Sequence, residues 1–201
     1  MDLLLVRHAE PERIEGGTGV PANPPLTTRG AAQAEAIGQW LASEPIDAVV
    51  SSPLLRATQT AQPIAHAHGL AVAIEDGFAE FDVHADDYIP IEDLKAANDP
   101  RWQAMVDGTW AGTGGEHPDD FRRRVLHALD GVITRHAGQR VVAVCHGGVV
   151  NCVMGSVLGI ERPLWFNPAY TSLHRMAASR TGARSVVTLN ETAHLEARRI
   201  T

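Results

Sequence analysis

Two cysteines in 201 residues are too few for a disulfide framework. Cys145 and Cys152 both sit in apolar context, so buried free thiols are the expectation. Also missing is any apolar stretch near the ~20 residues that span a bilayer. The N-terminus lacks the basic, apolar, small-residue order of a signal peptide, because Arg7-His8 interrupts its only apolar run. No membrane partner and a cytoplasmic location follow as expectations. A basic excess is absent too: 24 acidic against 17 basic residues leave a net charge of −7. That argues against nucleic acid as the main partner. It also means that local cations, rather than long-range steering, must hold an anionic ligand. Internal repeats and low-complexity tracts are absent.

What is present suits a globular chain, with 44% hydrophobic and 20% charged residues. The length fits one core, alone or with a small cap. Leu3-Leu4-Leu5-Val6 reads as a buried strand that stops at Arg7-His8-Ala9-Glu10. Val141-Val142-Ala143-Val144-Cys145 stops in the same way at His146-Gly147-Gly148. Parallel strands that deliver side chains to a crevice have this form.

Between these runs strand and helix alternate. Thr27-Thr28 precede an alanine-rich helix, Gly30 to Ser43, with Ala36, Ile37, Trp40 and Leu41 at helical spacing, and a threonine there is a good N-cap. Asp47 to Ser51 reads as a strand, Leu54 to His68 as a helix bent by Pro63, and Ala71 to Ile74 as a third strand. From Asp76 to Gly115 the alternation fails, leaving one weak helix near Ile91 to Val106; this stretch is read as a cap-like insertion over a site. Phe121, Val125, Leu129, Val132 and Ile133 then mark a long helix after Pro118-Asp119-Asp120. A helix from Gly147 to Leu158 follows the 141–145 strand. Two last strands, near Thr171 to Ala178 and Ser185 to Leu189, are joined by Arg180-Thr181-Gly182-Ala183 as a hairpin. The expectation is one domain over 1–201, a three-layer α/β/α fold with a mostly parallel sheet and an antiparallel edge.

Ligands of open α/β sheets bind at the carboxyl ends of the strands. Arg7, His8, Arg56, His146 and the helix N-terminus at Gly147-Gly148 converge there. Glycines let backbone N–H groups approach an anion, and arginine matches phosphate oxygens with a planar fork. A neutral histidine nitrogen is a competent nucleophile for phosphoryl transfer. Each feature also has a plainer reading. Arg7-His8 alone is an ordinary surface pair, and Glu80 alone a solvated loop acid. His66 and His68 do not share a helix face and are read as a polar helix end. His84 with Asp86 and Asp87 is read as a solvated acidic loop in preference to a cation site. Gly16-Gly17-Thr18-Gly19 lacks the Lys-Ser/Thr that completes a nucleotide phosphate loop. Trp40 is assigned to the core, while Trp102, Trp110 and Trp165 either line a pocket or pack the cap. Cys145 is expected to point into a sheet layer.

Four ordered motifs now resemble the histidine phosphatase superfamily, the phosphoglycerate mutase-like proteins. They are Arg7-His8-Ala9, the Leu26-Thr27-Thr28-Arg29-Gly30 element, Ser51 to Ala61, and His146-Gly147-Gly148. A closing Asn-x-x-x-His-Leu pattern matches Asn190 to Leu195. The resemblance implies that His8 is the phosphorylated nucleophile and that Arg7, Arg56 and His146 hold the phosphoryl oxygens. It also implies a carboxylic acid after the third strand, here Glu80, with Asp82 as the fallback. Gly147 joins the phosphate contacts, and Glu116 is carried over as a substrate contact. Neither cofactor nor metal is implied.

The implied activity is metal-independent hydrolysis of a small phosphorylated metabolite. The alternatives are a phosphoglycerate-type mutase, a non-catalytic phospho-ligand module and a protein phosphohistidine phosphatase. The Asn and Gly-Trp features of the mutases are missing between Glu10 and Leu26, and Phe81 to Tyr88 replaces the usual Gly, Trp and Glu. These departures leave the substrate open. Dimers are frequent in the family, so a homodimer is the implied assembly.

Overall fold

The computed structural model describes residues 1–16, 19–110, 115–179 and 181–196. Gly17 and Thr18 of the glycine-rich stretch, Gly114, and Arg180 of the expected hairpin turn lie outside the described residues.

Strand β1 (Asp2–Arg7) is followed by helix α1 (Thr28–Leu41), β2 (Ala48–Ser51), α2 (Leu55–Ala67) and β3 (Val72–Ile74). A 3₁₀ turn (Asp76–Phe78) leads to α3 (Ile91–Ala96) and α4 (Pro100–Asp107). Then come α5 (Pro118–Arg135), β4 (Arg140–Cys145), α6 (Gly147–Leu158), β5 (Leu173–Ala178), β6 (Arg184–Glu191) and α7 (Ala193–Glu196). The sheet order is β3-β2-β4-β1-β5-β6. β3, β2, β4 and β1 run parallel, and β5 pairs antiparallel with both β1 and β6. This is the expected mostly parallel sheet with an antiparallel edge.

Alternation along the two central strands divides the core between two faces. Leu3, Leu5, Val141, Ala143 and Cys145 pack with α5 and α6 through Val125, Leu129, Val149 and Val153. Leu4, Val6, Val142 and Val144 pack with α1 and α2 through Ile37, Leu41, Ala61 and Ile64. Three layers follow directly. Each of the valine, leucine and isoleucine side chains among them, fully buried, contributes roughly 1.5–3 kcal/mol. Cys145 and Cys152 are both buried and unpaired, and Cys145 belongs to the α5–α6 layer. Among the described residues no helix is long and apolar enough to cross a membrane.

Two expectations need correction. Trp40 is 44% exposed, because the buried stripe of α1 runs through Ala36, Ile37 and Leu41 and leaves Trp40 beside it. The single weak helix near 91–106 is two helices. Asn98 takes a positive φ of 50°, and Asp99 then caps α4 by accepting from the Arg101 N–H at 2.9 Å, with Pro100 in the first turn where its missing N–H is tolerated.

β1 and β4 are neighbours, and their chains leave toward opposite faces, β1 into α1 and β4 into α6. That divergence opens a crevice at their carboxyl ends.

Candidate active site

His8 leaves β1 with its N–H donating to the Cys145 carbonyl at 2.9 Å, which fixes it beside the end of β4. The next N–H, of Ala9, donates to Thr60 Oγ1 at 3.0 Å, and Thr60 Oγ1 donates to the Arg56 carbonyl. The 7–9 turn is thereby tied to α2. Thr27 caps α1 by accepting from the Gly30 N–H at 2.9 Å. A Cβ at position 30 would stand 2.0 Å from the Glu10 carbonyl oxygen, so the Leu-Thr-x-x-Gly element exists to let this turn close.

His8 is 2% exposed. Its Nδ1 lies 2.8 Å from the Ala9 carbonyl. A carbonyl only accepts, so Nδ1 carries the proton and Nε2 the lone pair. Burial, with Arg56 and Arg7 beside it, holds the imidazole well below its ordinary pKa, and the ring is neutral at physiological pH. The His146 ring lies 5.0 Å from that of His8. Its Nε2 is 2.7 Å from Ser52 Oγ. Ser52 Oγ already accepts from the Leu54 N–H, so its own proton is free to point at His146 Nε2. With the Ser52 hydroxyl as donor, the proton of His146 sits on Nδ1. Burial and the same arginines push His146 down as well.

Arg7 and Arg56 flank this pair, both almost fully buried. Arg7 donates to the Pro168 carbonyl at 2.5 Å and to Glu92 Oε1 at 2.7 Å, and its guanidinium stacks 4.1 Å over Tyr170. Burial opposes the charge on Arg7, but Glu92 outweighs it and holds the group above its ordinary range. Arg56 reaches Asp82 at 3.4 Å and stacks 4.5 Å over Tyr88. Among the described residues, Arg7 Nε, Arg56 Nε and His146 Nδ1 are buried with no hydrogen-bond partner. Such orphaned donors are costly unless a ligand satisfies them.

Glu80 is buried behind the 3₁₀ turn. Its Oε2 accepts from the Gly148 N–H at 2.8 Å and its Oε1 from the Phe81 N–H at 3.2 Å. Burial first, and nearby Asp82 second, push the carboxyl up to about 7. Burial raises Asp82 too, against the pull of Arg56.

Arg7, His8, Arg56, Glu80, Asp82, Gly147 and Gly148 line one pocket, with His146 buried beside His8. Glu116 is not among the lining residues. Its carboxylate binds Arg124, which also donates to the Gly77 and Ala79 carbonyls and so braces the turn before Glu80. Trp102 lines the pocket, whereas Trp110 is buried against Phe81 and Trp165 packs on Phe166. No group of three metal-ligating side chains occurs among the described residues.

Sequence reasoning missed Glu92 and Tyr170, which meet Arg7 from α3 and from the loop before β5. No spacing signal connects three such distant segments. The closing motif proves to hold that loop: Asn190 Oδ1 accepts from the Ala169 N–H at 2.8 Å, and His194 Nε2 lies 2.9 Å from Thr171 Oγ1.

Residues 3–192 match the histidine phosphatase superfamily, branch 1. The chain belongs to this superfamily. A probable phosphoglycerate mutase from Yersinia enterocolitica is 31% identical over 167 residues, covering 80% of this chain and 76% of the relative. Bacillus stearothermophilus YhfR superposes with a TM-score of 0.80 at 22% identity, over 96% of this chain and 98% of the other. Phosphoserine phosphatase from Entamoeba histolytica superposes at 0.75 with 24% identity, over 96% and 98%. A mycobacterial glucosyl-3-phosphoglycerate phosphatase does so at 0.75 with 21% identity, over 95% and 99%. The fold is therefore phosphoglycerate mutase-like, and this histidine phosphatase superfamily member falls among phosphoryl-transfer enzymes.

Proposed function

We propose that the chain hydrolyses a small phosphomonoester through a phosphohistidine on His8. The observation that carries this reading is the set of three buried, unpartnered donors around the neutral His8 ring, on Arg7, Arg56 and His146. A tetrahedral anion is the ligand whose oxygens satisfy them together.

In the first step His8 Nε2 bonds to phosphorus while the ester P–O bond breaks. The departing alkoxide takes the proton of Glu80. Arg7, Arg56 and His146 Nδ1–H neutralise charge on the non-bridging oxygens. In the second step Glu80, now a carboxylate, removes a proton from water as the water oxygen attacks phosphorus. The P–N bond breaks, inorganic phosphate leaves and neutral His8 is restored. A carboxyl titrating near 7 can serve both steps at neutral pH. The two arginines supply the positive charge that a metal supplies in other phosphatases. Residues 76–115 act as a cap, a role supported by Tyr88, Ile89, Ile91, Trp102 and Met105 lining the pocket.

The mutase reading rests on the names of relatives about 30% identical. The test is phosphate release from a panel of esters with EDTA present and His8→Ala as control. Turnover that survives EDTA and vanishes in the variant supports hydrolysis. Isomerisation of phosphoglycerate without phosphate release would replace it with the mutase.

A further inference from the structure

The pocket changes character within one side chain of the phosphoryl site. Beyond His8 its wall is Ile89, Ile91, Trp102, Met105, Leu164 and Phe166. Its charged lining residues are Arg7, Arg56, Glu80 and Asp82. Both arginines are committed: Arg56 faces Asp82 and the phosphoryl position, and the terminal nitrogens of Arg7 meet Glu92 at 2.7 and 3.4 Å.

Glu92 is itself fixed by the Tyr170 hydroxyl, which donates to it at 2.9 Å. Asn167 Nδ2 approaches its other oxygen at 3.4 Å. Arg7 holds the Glu92 carboxyl below its ordinary pKa despite burial, so it stays charged. The polar wall residue Asn151 is spent on backbone groups of Gly147, Trp165 and Phe166. Lys95 and Arg101, on the same segment, are not among the lining residues. Lys95 lies over the Trp102 ring at 5.5 Å, and Arg101 is paired with Asp87 and Asp99.

A substrate carboxylate placed here meets apolar walls and the Asp82 carboxylate, with Glu92 closing the outer edge of Arg7 and no cation among the lining residues besides the two committed arginines. Desolvating such a charge without a partner is strongly unfavourable. An apolar or aromatic body meets a wall of its own kind.

We infer that the substrate is the phosphate monoester of an uncharged alcohol with an apolar or aromatic body, and that Glu92 is the residue that excludes carboxylated esters by occupying the outer edge of Arg7. This inference rests on the phosphatase reading for its chemistry, but not for its binding preference.

The experiment compares kcat/KM for 2-phenylethyl phosphate and 3-phosphoglycerate. Both are esters of alkyl alcohols, so leaving-group basicity has little weight in the comparison. The phenylethyl ester is expected to be favoured by about 100-fold or more. Glu92→Gln is expected to narrow that ratio by about 10-fold, by releasing Arg7 and removing a like charge. Calorimetry with His8→Ala measures binding of the same two esters without turnover. Preferred turnover or preferred binding of 3-phosphoglycerate overturns the inference, as does failure of both esters to bind. An unchanged ratio in Glu92→Gln overturns the role of Glu92. Selective binding of the phenylethyl ester with no turnover of either compound keeps the substrate class and removes the phosphatase reading.

Discussion

Gly148 and Glu80 are in contact closer than any side chain at position 148 would allow. The Gly148 N–H donates to Glu80 Oε2 at 2.8 Å, and a Cβ on Gly148 would stand 2.3 Å from Glu80 Oε1. The second glycine after His146 therefore leaves room for the carboxyl and also supplies one of its hydrogen bonds. Gly148→Ala is expected to displace Glu80 and lower kcat with alkyl phosphates by roughly 10²-fold or more. In kcat/KM, which reports the first step, nitrophenyl phosphate, whose leaving group needs no proton, should lose far less. Equal losses with both esters would count against this role of Gly148.

Glu80→Gln is expected to cost roughly 10²–10⁴-fold with an alkyl ester and little in the first step with nitrophenyl phosphate. Wild-type kcat/KM for the alkyl ester should fall as pH rises through about 7, where Glu80 loses the proton it must donate. The variant should lack that inflection. Comparison of the two pH profiles checks it.

The same carboxyl has a stability signature. Its folded pKa of about 7 lies above the ordinary 4.5, so between these values the folded state binds more protons than the unfolded one. Its favourable contribution is complete below pH 4.5 and lost as pH rises through 7, a swing of about 3 kcal/mol. Glu80→Gln should therefore gain stability over wild type at pH 8 relative to pH 5. Denaturant unfolding at the two pH values measures this, and a difference independent of pH would show that Glu80 is not buried as charge.

Asn190 holds the loop that grips Arg7. It accepts from the Ala169 N–H, donates its own N–H to His174 Nδ1 at 3.2 Å, and has a positive φ of 56°. Asn190→Ala loses the side-chain acceptor and strains the backbone, at about 1–3 kcal/mol. Through Pro168 and Tyr170 it should also raise the inhibition constant for inorganic phosphate. Asn190→Gly relieves only the strain, and should recover stability more than phosphate affinity. Full recovery of both would remove the hydrogen bond from this account.

The β1 and β4 runs were legible because buried parallel strands are continuously apolar, and the residues where they stop, His8 and His146, are the ones the crevice receives. A threonine cap at 27–28 was equally visible, since its constraint is local. Trp40 was misplaced because helical spacing tolerates a neighbour at the edge of a stripe. The two helices over 91–107 were merged because the break rests on Asn98 adopting positive φ, a choice made by the fold around it. Glu92 left no trace in the sequence at all. Its meaning arises only from 85 residues of separation from Arg7 closing to one ion pair.

The central claim is that His8 Nε2 takes the phosphoryl group. The most direct measurement is rapid quenching of the enzyme with a labelled phosphomonoester, followed by mapping of the bound label. The account predicts a protein-bound phosphate that is labile to acid, stable to alkali and confined to the peptide containing His8, absent from His8→Ala and formed no slower than turnover. Steady hydrolysis with no label on His8, or an undiminished rate in His8→Ala, would contradict it.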